Sequence, residues 1–271
     1  MLQNGGSGGV STGTSGTGTS NSGGGNDAGS SSTTPSEALV EVVPNEPSNI
    51  IVNDKKCELF NNLKTNQSFK DIINVLKAGT TLTYEQGVAL TNQTGGIFGA
   101  IMGVANPNKK SAVEFTIPDG STIDIFIHNH YTGGLSIFSP DDLEQIYKVL
   151  KNPNITTGTN FVSIVVTPNE EVYAMTISDK DAFIAFGDKW FTNDDTYNEF
   201  NKLYSHSIAD LDRYPGYGIK SNKPTNEQNF LRLLNSKNSG LKLHKANADL
   251  SQWTPLNLSK TNAVVPETPC N

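Results

Sequence analysis

Apolar residues recur at helical spacing between residues 58 and 78: Leu59, Phe60 and Leu63, then Phe69, Ile72, Ile73 and Leu76. That period predicts an amphipathic helix, and Gly79 supplies its stop. From Thr80 to Thr91 the pattern changes to that of a strand, with a Gly95-Gly96 turn after it. Val113 to Ile117 predicts a short strand, Pro118-Asp119-Gly120 a hairpin turn, and residues 121–128 a further strand. Ser139-Pro140-Asp141-Asp142 then opens a helix, because serine is a preferred N-cap, proline suits the first position and acids suit the positive end of the dipole. Leu143, Ile146, Tyr147 and Leu150 are its buried stripe.

Downstream, Phe161 to Val166 and Glu171 to Ile177 predict a hairpin around Pro168-Asn169. Residues 179–191 and 193–208 read as two helices, and Pro215-Gly216-Tyr217-Gly218 as a loop. Thr225-Asn226-Glu227-Gln228 has the form of a capping box for a helix ending near Leu234 or Asn235. Short strands at Leu241 to Lys245 and Leu256 to Leu258, around Trp253, finish the chain. Strands interrupted by helices imply an α/β (α+β) fold, a mixed β-sheet flanked by helices.

Composition divides the 271 residues unevenly. Residues 1–35 are almost all Gly, Ser, Thr and Asn, which cannot bury enough apolar surface to offset the entropy of ordering. They read as a disordered tether, residues 36–50 as a proline-containing acidic spacer, and residues 51–271 as a single domain. A net charge of −7 opposes a nucleic-acid partner, and the lysines, Lys109-Lys110 included, are scattered surface. No apolar run approaches the roughly 18–20 residues that a transmembrane helix needs. The start, Met-Leu-Gln-Asn-Gly-Gly, has no signal-peptide pattern, so we expect the C-terminal part of a longer secreted or surface-anchored protein. Cys57 and Cys270 are either unrelated thiols or a disulfide closing a loop of about 210 residues, worth about 4–5 kcal/mol in chain entropy.

Chemistry concentrates at His128-Asn129-His130, which takes two of the four histidines. It follows the alternating stretch Ser-Thr-Ile-Asp-Ile-Phe-Ile, and residues two apart on a strand share a face. His128 and His130 would project side by side, spaced to clamp one metal ion. Asp142, in the first turn of the next helix, is the natural third ligand, with Asp141 the alternate if the register shifts. Two histidines and one carboxylate leave a position open for water, and hydrolysis then needs a general base and an oxyanion donor.

His128-x-His130 followed by Ser139-x-x-Asp142 resembles the motif of the JAMM (MPN+) zinc metalloproteases, His-x-His-x(7)-Ser-x-x-Asp with a glutamate on an earlier strand. Here eight residues separate His130 from Ser139, and Tyr131 stands where a proline commonly follows the second histidine. The resemblance covers about residues 80–180 and implies a divergent bacterial, exported member with a JAMM/cytidine-deaminase-like core. It implies Zn2+ held by His128, His130 and Asp142, Ser139 as helper of the oxyanion, and a protein or peptide substrate. Glu85, in Tyr-Glu-Gln-Gly-Val-Ala-Leu, matches the family's general base, with Glu114 the runner-up. Loops 92–111 and 131–138 would hold the specificity. His206 and His244 have no paired partners in sequence and read as structural or exposed.

Other metal and hydrolase classes fail on their own motifs. The letters His-Asn-His lack the spread ββα arrangement of the nuclease that shares them, and a zinc deaminase would need His-x-Glu with Pro-Cys-x-x-Cys. A serine hydrolase would need Gly-x-Ser-x-Gly. An iron oxygenase would reverse the order of histidine and carboxylate. The competing class is a non-catalytic surface module of the same architecture that binds a protein or peptide, and Glu85 separates the two, since only an enzyme needs a carboxylate facing the metal.

Overall fold

Asn66 decides how the first helical stretch is cut. In the computed structural model its side-chain oxygen accepts from the Phe69 N–H at 3.0 Å, capping a new helix where a continuous one was expected. The result is α1 (Lys55–Thr65) and α2 (Gln67–Gly79), because asparagine offers the backbone a local alternative to the helical ladder. The residues described are 55–92, 98–105, 113–153, 155–206, 216–221 and 223–270. The expected tether and spacer, the Gly95-Gly96 turn, Lys109-Lys110, Pro215 and most of loop 92–111 lie outside them.

Eight strands form one mixed sheet in the order β10-β9-β8-β7-β6-β5-β1-β2. They are β1 (Gly87–Asn92), β2 (Phe98–Met102), β5 (Thr122–Asn129), β6 (Thr156–Val166), β7 (Val172–Ile177), β8 (Leu241–Ala246), β9 (Trp253–Leu258) and β10 (Val264–Pro266). Strands β3 (Val104–Ala105) and β4 (Val113–Glu114) pair in a separate two-stranded ribbon. The remaining helices are α3 (Pro140–Lys151), α4 (Lys180–Trp190), α5 (Asp194–Ser205) and α6 (Asn226–Ser236). The expected α+β class, a mixed sheet flanked by helices, is the architecture observed.

Alternation along the strands splits the core in two. Ile125, Ile127, Val162, Ile164 and Val166 pack with Leu63, Phe69, Ile73 and Leu76 of α1 and α2. Phe126, Val165, Tyr173 and Met175 point the other way, into Tyr147, Phe183, Phe200 and Phe230 of α3 to α6. Strands buried on both faces need apolar residues at nearly every position, which is why β5 runs Ile125-Phe126-Ile127 and β6 ends in Phe161-Val162-Ser163-Ile164-Val165-Val166. Among the described strands, β5 and β6 are the one parallel pair, joined through α3. No helix among the described residues is long and apolar enough to cross a membrane.

Several local expectations are corrected. The strand expected from Thr80 begins only at Gly87; residues 80–84 form turns and bends that lead into Glu85. Pro118-Asp119-Gly120 does turn, with Ser121 N–H bonding Pro118 O at 3.1 Å and Gly120 at φ 77°. It joins no hairpin, because β4 pairs with β3 while β5 pairs with β1 and β6. The Thr225 capping box does not form: Thr225 is already helical in its backbone, and the Gln228 side chain bonds Asn262 O instead. Strand β9 starts at Trp253 itself.

Cys57 and Cys270 form a disulfide across a sequence separation of 213. It joins α1 to the C-terminal segment, where Cys270 N–H bonds Trp253 O at 3.1 Å and the Trp253 ring stacks 4.9 Å from Phe60. Replacing both cysteines by serine should lower the unfolding free energy from urea titration by an amount approaching about 4–5 kcal/mol, the unfolded-chain entropy that the crosslink removes, and the urea midpoint falls with it. An unchanged midpoint would show that the bond adds nothing to stability.

Candidate metal centre

The two histidines are aimed by the sheet. His128 shares its face of β5 with Phe126, looking toward α3, while Ile127 packs on the α1–α2 side. His130 lies one residue beyond the strand, yet its N–H still bonds Val166 O at 2.9 Å. That bond extends the parallel ladder, so His130 keeps the phase of His128. Their Nε2 atoms stand 3.3 Å apart.

The third group arrives with the cap of α3. Ser139 is the N-cap: its Oγ accepts from Asp142 N–H at 3.1 Å, and Asp142 Oδ2 accepts from Ser139 N–H at 2.6 Å. The same carboxylate meets both rings, with Oδ1 3.0 Å from His128 Nε2 and Oδ2 3.3 Å from His130 Nε2. The eight-residue loop between His130 and the cap absorbs its length in a turn, with Gly133 at φ 96° and Gly134 N–H on Tyr131 O at 2.8 Å.

These distances fit a metal. Two donors each about 2.05 Å from a tetrahedral ion are about 3.3 Å apart, the spacing observed among the ligand atoms. His128, His130 and Asp142 are the group of described residues that could hold an ion. His130 Nδ1 lies 2.8 Å from Leu135 O, which keeps a proton on Nδ1 and leaves Nε2 as the nitrogen that an ion would take once its own proton is displaced.

Charge couples the cluster tightly. Burial alone would favour neutral His130, but the hydrogen bond and charge of Asp142 raise it from 6.5 to about 9. Burial also opposes ionisation of Asp142, and His128 and His130 together overcome it, holding the carboxyl well below its ordinary range. Glu85 behaves differently: burial pushes it from 4.5 up to about 6, against the pull of the two histidines.

No protein-family model matches this chain, and no curated protein or solved structure matches it either. The site is therefore read from its own geometry.

All five residues singled out in the sequence are placed around this point or at its cap. Glu85 precedes β1 by two residues, is 8% exposed, and has Oε1 4.0 Å from His130 Nε2. Ser139 serves as the N-cap, and because its oxygen is the acceptor in that bond, its hydroxyl proton can still donate. The runners-up fall elsewhere: Glu114 is on the β3–β4 ribbon, and Asp141 accepts from the Tyr197 hydroxyl. His206 caps the end of α5 and bonds Lys202 O, while His244 is buried against Thr176.

Sequence reasoning missed the groups that hold the first ones in place. Tyr204 donates to Phe138 O at 2.7 Å, and Asn226 donates to Ser136 Oγ at 2.9 Å, pinning the loop from two helices. Thr132 donates through both N–H and hydroxyl to Thr80 O, tying the same loop to the start of the Glu85 segment.

Two outcomes follow for metal binding. The double variant His128→Ala with His130→Ala should bind no divalent metal in equilibrium dialysis, and retained binding would remove the site. Because His130 holds a proton below about pH 9 that the ion must displace, affinity should climb with pH by about tenfold per unit toward that value. Isothermal titration of Co2+ across neutral to alkaline pH measures this, and a flat profile would show that His130 is not a ligand.

Proposed function

We propose that this chain is a zinc-dependent hydrolase of peptide or isopeptide bonds, a divergent enzyme of JAMM type with its metal on His128, His130 and Asp142. The observation that carries this reading is Glu85. Its carboxyl is buried, faces the cluster at 4.0 Å from His130 Nε2, and is not needed to complete the ligand set. A module that only docks a partner has no use for a second buried acid at that place, where desolvation opposes its charge.

Two imidazoles and one carboxylate are a donor set of the catalytic zinc sites, which keep one position open. Zinc would supply Lewis acidity toward water and toward the scissile carbonyl. The chain's own residues do the rest. Glu85 takes the proton from the attacking water and delivers it to the leaving amine nitrogen, so one carboxylate serves both halves of the reaction. A pKa near 6 suits that double duty, and a cation nearby would favour the ionised, proton-accepting form. The Ser139 hydroxyl donates to the carbonyl oxygen as it gains charge. Leu135 O and the cap of α3 hold His130 and Asp142 so that neither must reorganise.

The Cys57–Cys270 disulfide supports an extracytoplasmic setting, secreted or surface-anchored, since such bonds persist under oxidising conditions. The test is Glu85→Gln in zinc-loaded protein offered a fluorogenic peptide library. Zinc content should stay at one equivalent while turnover falls by about a hundredfold or more, the usual contribution of a general base. Undiminished turnover would reassign the base. Wild-type protein that holds zinc and cleaves nothing would leave the non-catalytic binding module in its place.

A further inference from the structure

Asn129 sits between the two histidines, and alternation turns it to the opposite face of β5, fully buried at the C-terminal end of α2. The register of β1 on β5 pairs Gly87 with His128, so the next position would pair Gln86 with Asn129. Half of that pair is present: Asn129 N–H donates to Gln86 O at 3.0 Å. In an antiparallel ladder the return bond runs from Gln86 N–H to the Asn129 carbonyl. Here Gln86 N–H instead donates to the Asn129 side-chain Oδ1, at 2.6 Å.

We propose that Asn129 is the positioning residue for Glu85, its side-chain amide standing in for the strand's own carbonyl and so releasing the chain from the sheet one residue after Glu85. This rests on the reading of Glu85 as general base. The substitution accounts for β1 starting at Gly87 when the residue pattern favours a strand from Thr80. Were the ladder to continue, Glu85 would be held as the next strand residue. Released at Gln86, the segment is free to set the Glu85 carboxyl 4.0 Å from His130. The far end of the segment is tied by Thr132 to Thr80 O, so residues on either side of His130 grip both ends of the stretch that carries Glu85.

Two further details fit a built device. The Asn129 Nδ2 is buried with no hydrogen-bond partner, so the amide is retained for its oxygen alone. At Gly79 a Cβ would stand 2.2 Å from Gln86 Oε1 and 3.3 Å from Asn129 Nδ2, so the glycine lets the end of α2 lie close over the clamp with both amides in place.

The test uses full-length protein, labelled with 13C-glutamate and loaded with Co2+ as the probe metal, with the Glu85 carboxyl signal assigned by its loss in Glu85→Gln. In the wild type, cobalt should shift and broaden that signal. Asn129→Ala and the near-isosteric Asn129→Leu should lose most of the effect while still binding cobalt, and Asn129→Asp, which keeps the acceptor oxygen, should restore it. A wild-type signal untouched by bound cobalt would overturn the role given to Glu85 and the clamp with it. A signal displaced in the wild type and equally in both Ala and Leu variants would overturn the clamp alone. The wild type also answers without any variant: a scalar coupling across the hydrogen bond from Gln86 15N to Asn129 13Cγ is expected, and its absence sinks the proposal.

Discussion

The carboxylate of Asp142 is the constraint on which this site depends. It completes the cap of α3 and meets both imidazoles at the end of β5. A carboxylate at the third helical position is drawn to the N-terminal N–H groups whatever else is nearby. That attraction fixes its orientation before any ion is present. The parallel pairing of β5 and β6 through α3 then brings the capped helix end beside the histidines. Ligands in open α/β sheets gather at the carboxyl ends of strands for the same topological reason. Fold and site therefore share one contact, and neither could be shifted without the other.

Burying so many ionisable groups together has a cost that the cluster meets internally. Removing a carboxylate from water is unfavourable unless it is paired and hydrogen-bonded. Asp142 has two ring nitrogens and a backbone N–H, and its charge is stabilised at the expense of a proton held on His130. Glu85, whose nearest approach to His130 Nε2 is the longer 4.0 Å, is governed by burial and keeps its proton to a higher pH. Two carboxylates that face the same imidazole are thus pushed in opposite directions, one toward permanent charge and one toward exchange of a proton near neutrality. Such separation is what the proposed division of roles, a ligand and an acid–base group, requires.

Much of this was legible along the chain. Alternation through Ile125, Phe126 and Ile127 gave the face of His128, and Ser139-Pro140 with two acids marked the helix start within one residue. Both are local signals, written in residues two to four apart. What escaped notice was side-chain competition with the backbone. Asn66 broke a helix whose apolar period ran straight through it, and Asn129 ended a strand from forty-three positions away. At Thr225 the letters of a capping box were present, but Gln228 had a better partner across the fold at Asn262. Asparagine and glutamine amides are hard to read because their choice of partner is settled by tertiary packing, not by neighbours in sequence.

The disulfide has a mechanical meaning beyond its effect on the unfolded chain. Cys57 lies in the first described helix and Cys270 in the last described strand contact, so the loop between them holds the sheet, the cap and every ligand. Tension applied across the chain on either side of that loop crosses from one sulfur to the other and never enters the strands. The candidate metal centre is in that sense off the load path. A pull between the Gly- and Ser-rich stretch ahead of Cys57 and the chain after Cys270 would be borne by one covalent bond, leaving Asp142 and the histidines at rest.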